Sequence, residues 1–133
     1  MDMSKKFGGK YVLGRSVGYF PRLARFFRSV KVCVFVSQFG YWEGKQRAKG
    51  SRFIYKSQRE LEFETGLTRY EQETVRKYLL NKKYMEEKLA GIPATMNYRF
   101  NWEKMALDFE DWIHNIDIKD QYLIETPDVI VEE

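Results

Sequence analysis

Apolar residues recur at helical spacing through residues 57–82 and at strand spacing beyond them, which predicts two helices followed by a hairpin. Ser57 and Glu60 have the spacing of a capping box, in which each side chain satisfies a backbone N–H group at a helix start. Thr68 and Glu71 repeat that spacing, so a second helix is predicted to begin there.

Gly66 lies between the two helices and suits the left-handed conformation that closes the first of them after about Thr65. Only a tight turn fits in this interval, as in a helix-turn-helix. The side of the second helix that is predicted to face the core carries Leu67, Val75, Tyr78 and Leu79. The opposite side carries polar residues of the kind that reach base edges and phosphates: Arg69, Tyr70, Glu73, Arg76 and Lys77.

Two strand-like segments, residues 84–89 and 96–100, follow the second helix and predict a two-stranded wing. The segment between them contains Gly91 and Pro93, which favour a turn because glycine permits positive φ and proline restricts its own φ. Asn101 is predicted to cap a further helix over residues 102–114. The apolar stripe of that helix comprises Trp102, Met105, Ala106, Phe109, Trp112 and Ile113.

Upstream, residues 21–39 are predicted to form one long helix, with Pro21 in its first turn and Gly40 at its end. Its predicted core stripe comprises Leu23, Phe26, Phe27, Val30, Val34 and Ser37. A short strand is predicted at residues 53–55. The loop before it holds a basic cluster, which suits contacts to phosphate groups and equally suits a solvated connection. The basic residues of that loop are Lys45, Arg47, Lys49 and Arg52.

Composition places the chain among small proteins with one core. It has 133 residues, of which 44% are hydrophobic and 17% aromatic. Cys33 is the only cysteine, so an internal disulfide is excluded and a cytoplasmic site in a bacterium or a viral host is expected. The first apolar run is too short for a secretory signal. The run over residues 30–39 is shorter than the ~20 residues that a membrane-spanning helix needs.

The distribution of charge is more informative than the net charge of +4. Residues 1–56 carry 13 Lys and Arg against 2 acidic residues, residues 57–101 carry 8 against 7, and residues 102–133 carry 2 against 10. A basic front end and an acidic back end suggest a surface that faces a polyanion and a region that stays away from it. Ordinary solvated charge is the alternative explanation.

Residues 65–105 (TGLTRYEQETVRKYLLNKKYMEEKLAGIPATMNYRFNWEKM) resemble the winged-helix domain of replication-initiator, or replisome-organiser, proteins of bacteriophages and mobile elements. The resemblance covers about residues 20–109. The matching residues are Gly66, Leu67, Thr68, Arg69 and Gln72, then Gly91, Ile92, Pro93 and Ala94, and residues 98–102. The chain departs from that family at Lys83, where glycine is frequent, and at Val75, where alanine is usual. Family members that load helicases carry a further C-terminal domain, which this chain is expected to lack, and this puts helicase loading in cis in doubt.

The resemblance implies duplex-DNA binding through the helix over residues 68–82, with wing contacts from Lys88 and Arg99. The candidate contacts on the helix are Thr68, Arg69, Tyr70, Gln72, Glu73, Arg76 and Lys77. Of these, Arg69 and Arg76 are the leading candidates, because the helix start attracts phosphate and arginine supplies a bidentate fork.

Three of these residues have alternative roles. Gln72 could equally be a buried amide between the two helices. Glu73 could pair with Arg76 or Lys77 on a solvated face of the helix. Tyr70 could be a packing aromatic.

No pattern in the chain points to catalysis, a cofactor or a metal. His114 is the only histidine and has no second histidine or cysteine to share a metal. Asp108, Glu110 and Asp111 are scattered around their helix by their spacing. A non-enzymatic protein is therefore predicted.

The sequence thus predicts an α+β winged helix-turn-helix domain over residues 20–115, with a basic arm at residues 1–19 and an acidic tail at residues 116–133. The predicted function is binding of double-stranded DNA by a phage- or plasmid-type replication or regulatory factor, with no membrane partner. The tail is expected to pair with a replication protein or a second copy of the chain, or to fold onto the basic front half. The rival function is a winged-helix adaptor that binds proteins, including itself, without reading DNA.

Overall fold

The computed structural model describes residues 3–46 and 53–116. Helices α1 (Met3–Lys6), α2 (Lys10–Leu13), α3 (Pro21–Phe27) and α4 (Val30–Gln46) precede strand β1 (Ile54–Tyr55). They are followed by α5 (Gln58–Thr65), α6 (Arg69–Asn81), β2 (Met85–Ala90), β3 (Thr95–Phe100) and α7 (Trp102–His114). The strands form an antiparallel sheet in the order β1-β3-β2. The predicted α+β class is confirmed, and the hairpin after the helices is consistent with a winged-helix-like arrangement.

The start of the described chain is helical. The sequence predicts an arm or a loose strand before residue 19, whereas the structure has the single-turn helices α1 and α2 there. Among the described helices, none combines the length and the apolar character that crossing a membrane requires.

The region predicted as one helix over residues 21–39 consists of two helices that are separated at Arg28. Arg28 adopts a left-handed conformation with a φ of 59°, which closes α3. The hydroxyl of Ser29 then accepts a hydrogen bond from the Val32 N–H at 3.1 Å, in the first turn of α4. The single-helix prediction is wrong because an arginine holds the left-handed position, so no glycine marks it in the sequence.

The break also changes which side of α4 faces the core. Val30 belongs to the predicted core stripe, but it is 53% exposed. The buried residues of α4 are Val32, Cys33, Phe35, Val36, Gln38 and Phe39. A left-handed residue turns the following helix, so the helical spacing of α3 does not carry over to α4. The predicted end at Gly40 is also wrong, because α4 continues to Gln46.

The helix pair α5–α6 confirms the predicted caps. Ser57 Oγ accepts from the Glu60 N–H at 3.0 Å, and Glu60 Oε1 accepts from the Ser57 N–H at 2.9 Å. Thr68 and Glu71 form the same reciprocal pair at 3.2 and 2.9 Å. Gly66 closes α5 with a φ of 78°. The local signals of residues 57–71 therefore decided this part of the fold.

The predicted hairpin is also confirmed, with ends that differ by one residue from the prediction. In the pairing of β2 with β3, Met85 lies opposite Phe100 and Ala90 lies opposite Thr95. The short strand β1 pairs with β3 and places Ile54 opposite Tyr98. β3 is thus the central strand of the sheet.

The core forms where β3 packs against α4. The ring centres of Phe39 and Tyr98 are 5.2 Å apart, and those of Phe39 and Phe100 are 5.1 Å apart. Leu61 of α5 and Leu79 of α6 are fully buried and belong to the same core cluster as these aromatic residues. The helix pair and the sheet therefore share one core.

The last helix, α7, begins as predicted at Asn101, whose Oδ1 accepts from the Lys104 N–H at 3.0 Å. It packs against α3 through aromatic residues. Phe26 of α3 lies 5.5 Å from Phe109 and 5.8 Å from Trp112, measured between ring centres.

A polar cluster around the Glu64 carboxylate joins α4 and α5. The carboxylate accepts hydrogen bonds from Gln38 Nε2 at 2.8 Å, Trp42 Nε1 at 2.9 Å and Lys56 Nζ at 2.6 Å. Burial raises the pKa of this carboxyl, but the three hydrogen bonds and the charge of Lys56 together outweigh it. The pKa of Glu64 therefore lies below its ordinary value.

Replacing Glu64 by Gln should leave the Lys56 ammonium, which is 6% exposed, without an anionic partner. We expect the free energy of unfolding to fall by about 3 kcal/mol at neutral pH, because removing one partner leaves a buried charge uncompensated. Since the folded-state pKa of Glu64 is lowered from 4.5, its stabilising effect is complete above that pH and is lost as the pH falls through the folded-state value. Urea unfolding as a function of pH measures both effects.

Glu62→Gln is the matched control, since Glu62 lies on the exposed side of the same helix. It should change the free energy of unfolding by less than ~0.5 kcal/mol. Equal losses of unfolding free energy in the two variants would contradict the structural role of Glu64. So would a difference in unfolding free energy between wild type and Glu64→Gln that does not shrink as the pH falls.

Lys83, between α6 and β2, has a φ of 62°. This conformation costs an L-residue roughly 1–2 kcal/mol, whereas glycine adopts it freely and loses about 0.5–1 kcal/mol through its greater unfolded-state entropy. We therefore expect Lys83→Gly to raise the free energy of unfolding by about 0.5–1 kcal/mol in urea denaturation. The neighbouring Lys82 has a φ of −78°, so Lys82→Gly should be destabilising. A Lys82→Gly variant that is more stable than Lys83→Gly would contradict the assignment of backbone strain to Lys83.

Candidate nucleic-acid interface

Helix α6 turns a polar face to solvent and an apolar face to the core. The exposed residues of the polar face are Arg69, Tyr70, Glu73, Thr74 and Lys77. The opposite face is buried at Val75 and Leu79, with Leu67 buried just before the helix, as predicted. Tyr70 is 77% exposed, so it is not a packing aromatic within the described chain.

The first turn of α6 is organised by polar contacts. Thr68 is the N-cap, and Arg69 Nε donates to Gln58 Oε1 of α5 at 2.7 Å. Lys31 Nζ of α4 lies 2.9 Å from Glu71 Oε2. The hydrogen bonds from the Thr68 N–H and from Lys31 lower the pKa of the Glu71 carboxyl. Arg69 remains exposed, so its guanidinium is held at the helix start and still accessible.

Gln72 lies in the interior of the protein, although the sequence places it among the candidate DNA contacts. Its side chain is completely buried, and Nε2 donates to the carbonyl oxygens of Gln58 at 3.0 Å and Leu67 at 2.9 Å. These bonds tie α6 to the start of α5 and to the turn. The geometry therefore matches the alternative of a buried amide, and Gln72 is not part of the accessible face.

Arg76 joins α6 to the hairpin through an ion pair. Its Nε lies 2.5 Å from Glu87 Oε2 of β2, and the two side chains are only 16% and 15% exposed. The hydrogen bond that Arg76 donates to Glu87 raises the pKa of Arg76 above its ordinary value, against the effect of burial. Within the described residues, the hydrogen-bonded carboxylate of Arg76 is Glu87 and not Glu73.

The outer face of the hairpin carries a cationic and aromatic cluster. Lys88 Nζ and the Arg99 guanidinium lie 4.5 and 4.6 Å from the centre of the Phe53 ring. Arg99 Nη2 is also 2.6 Å from Glu86 Oε1. At the tip of the hairpin, Ile92 is fully exposed. The two wing candidates are thus brought together on one face.

The predicted basic loop lies only partly within the described residues. Lys45 is in the last turn of α4, which corrects its placement in a loop. Arg47, Lys49 and Arg52 lie outside the described residues, and so does the tail from residue 117 onward. Phosphate contacts by these residues stay a prediction.

Two residues at the candidate interface were not found from the sequence. Lys31 is 57% exposed beside the first turn of α6, and only the tertiary fold brings it there. Phe53 precedes the buried Ile54, and this alternation was the available signal that Phe53 lies on the outer face of the sheet.

The described ranges contain no group of three or more His, Cys, Asp or Glu side chains that could hold a metal ion. His114 Nδ1 lies 2.9 Å from the Glu110 carbonyl oxygen, one turn back on the same helix.

Arg76 and Lys77 are neighbours in sequence but differ in environment, which allows a direct comparison. Arg76→Ala should lower the free energy of unfolding by about 2–3 kcal/mol, because it leaves the Glu87 carboxylate largely buried and unpaired. Lys77→Ala should change it by less than ~0.5 kcal/mol, since Lys77 is exposed. Urea denaturation of both variants measures the difference. Equal stabilities would show that the Arg76–Glu87 pair does not hold the hairpin to α6.

Comparisons of the chain with protein-family models, with curated proteins and with solved structures found no match.

Proposed function

We propose that the protein binds double-stranded DNA, with α6 in the major groove. The observation that carries this proposal is the two-sided character of α6. Its apolar side is anchored in the core, while long donor-bearing side chains project from the other side. A helix about 10–12 Å in diameter fits a major groove about 12 Å wide.

The residues of the polar face divide into two groups by environment. Arg69, Tyr70, Glu73 and Lys77 are exposed, so we assign them direct contacts to base edges and phosphates. Gln72 and Arg76 are held by protein partners, so we assign them to positioning the helix. Thr68 caps the helix start, where the dipole favours phosphate, and we assign it to positioning that end of α6.

The remaining basic residues supply contacts to the DNA backbone in this proposal. Lys88 and Arg99 would reach phosphates from the outer face of the hairpin, beside the exposed aromatic Tyr55. Lys31 is placed next to the start of α6 and would extend the contact on that side. Lys45, Arg47, Lys49 and Arg52 complete the predicted phosphate-binding set.

We further propose that the fold is a winged helix-turn-helix and that the protein is a replication or regulatory factor of a phage, plasmid or related element, acting in the cytoplasm. The support is the tight turn at Gly66, the hairpin after α6, and the resemblance of residues 65–105 described above. We also propose that its role is binding and not catalysis.

A second candidate is a protein-binding adaptor. Two observations favour it: Phe63 on α5 is 91% exposed, and several basic residues near α6 are paired with carboxylates. Lys31 pairs with Glu71, Arg76 with Glu87 and Arg99 with Glu86. These pairs reduce the positive field that a phosphate backbone would meet.

Fluorescence anisotropy with a labelled duplex of random sequence tests the DNA proposal. Wild-type binding should weaken steeply between ~50 and ~200 mM salt, with a log–log slope of about −0.9 for each phosphate contact. Arg69→Ala and Lys77→Ala, made singly, should each lower the affinity ~5-fold or more, and each should reduce the slope by about 1 if a phosphate contact is lost.

The control is Leu107→Glu on α7, which changes the net charge by the same amount as Lys77→Ala but lies on another helix. It should leave the affinity within ~2-fold of wild type, as expected for a charge outside the contact region. Absence of binding at low salt, or equal losses in all three variants, would overturn the major-groove proposal. A search for a protein that binds through Phe63 would then be the next step.

A further inference from the structure

A large apolar groove lies between α3, α4 and α7, away from the polar face of α6. It has a volume of about 940 Å³. Its walls include Leu23 and Phe26 of α3, Val36 of α4, and Trp102, Met105 and Phe109 of α7. A cleft of this volume with a mainly apolar lining has the dimensions that are typical of a binding site.

We propose that this groove is the docking site of the chain's own C-terminal segment, residues 117–133. The proposal is independent of DNA binding. It rests on three features that belong together: the path of the chain, the side chains of the segment, and the charge of the groove wall.

The path of the chain allows the segment to return to the groove. The described residues end at Ile116, just after α7, and α7 itself forms one wall of the groove. The helix of 13 residues is ~20 Å long, and the following residues, 117–133, can span up to ~56 Å when extended. The segment is therefore long enough to run back along the whole of α7.

The segment has the side chains that such a groove would bind. Two apolar clusters lie on either side of Pro127, which favours an extended course of the chain. The first cluster is Tyr122, Leu123 and Ile124, and the second is Val129, Ile130 and Val131. Burial of such side chains contributes roughly 25 cal/mol per Å² of apolar area.

The segment and the groove wall formed by α3 carry opposite charges, whereas α7, the other wall, is acidic but lines the groove with apolar side chains. Residues 117–133 contain six acidic residues and one lysine, so their net charge is −5. Residues 3–29 contain seven Lys and Arg and no acidic residue. Arg22 of this basic stretch lines the groove itself. An acidic apolar segment therefore complements this wall better than a neutral or basic one would.

A spin label on the full-length Thr126→Cys variant tests the proposal. Cys33 is 0% exposed and burial raises the pKa of its thiol, so the label should attach at position 126; labelling of the wild type checks this. The indole N–H NMR signal of Trp102, which lines the groove, should be lost through paramagnetic broadening. The backbone N–H signal of Gly91 should persist, because Gly91 lies at the tip of the hairpin, at the opposite end of β3 from Phe100 and Trp102.

Two neighbouring substitutions on α7 provide the matched comparison. Ala106→Glu places a carboxylate in the groove wall, and Leu107→Glu places one on the exposed side of the same helix. We expect Ala106→Glu to restore the Trp102 signal because it repels the acidic segment, whereas Leu107→Glu should leave the signal broadened.

A mixed sample distinguishes the chain's own segment from that of a second copy. In this sample, the spin-labelled chains carry no NMR-active isotope, and the isotope-labelled chains that give the signals carry no spin label. Broadening of Trp102 in the uniform sample but not in the mixed sample is the expected result. Broadening of equal strength in the mixed sample would assign the groove to a second copy. A Trp102 signal that persists in the uniform sample, or that is lost together with the Gly91 signal, would also overturn the proposal.

Discussion

The packing of β3 against α4 is the contact on which the rest of the structure depends. Tyr98 and Phe100 bring the hairpin to Phe39, with ring centres 5.1–5.2 Å apart, and α5 and α6 bury their apolar sides in the same core. Because side chains alternate along a strand, burying Tyr98 and Phe100 forces Arg99 outward. One apolar contact thereby decides both the position of the hairpin and the face that carries its cations.

Two ion pairs set the orientation of the elements around that core. The Glu64–Lys56 pair joins α5 to the residue after β1, and the Arg76–Glu87 pair joins α6 to β2. Such pairs add little net stability compared with apolar packing, because both charges lose water. Losing one partner is nevertheless costly, so each pair resists any shift of one element relative to the other. The Arg76–Glu87 pair holds the polar face of α6 and the hairpin in one arrangement.

The protein consequently has one polar, cationic surface and one apolar groove. The polar face of α6 and the outer face of the hairpin offer cations and hydrogen-bond donors, which suit a charged ligand such as DNA. The groove is lined from α3, α4 and α7 and offers apolar area, with Arg22 of α3 as the charged residue in its lining. The uneven charge of the sequence has a physical use under both proposals: the basic front end can face phosphates or the chain's own acidic segment.

The sequence by itself determined the elements whose signals are local. Capping boxes at Ser57 and Thr68, the left-handed Gly66 and the alternation in β3 each act over a few residues, so α5, α6 and the hairpin were predictable. Only the tertiary structure decided what depends on distant partners. Arg28 closes α3 without a glycine, so the end of α3 carried no local signal, and only Ser29 marked the start of α4. Gln72 and Arg76 have the same polar character as exposed residues, and their burial became visible only once α5 and β2 were packed beside them.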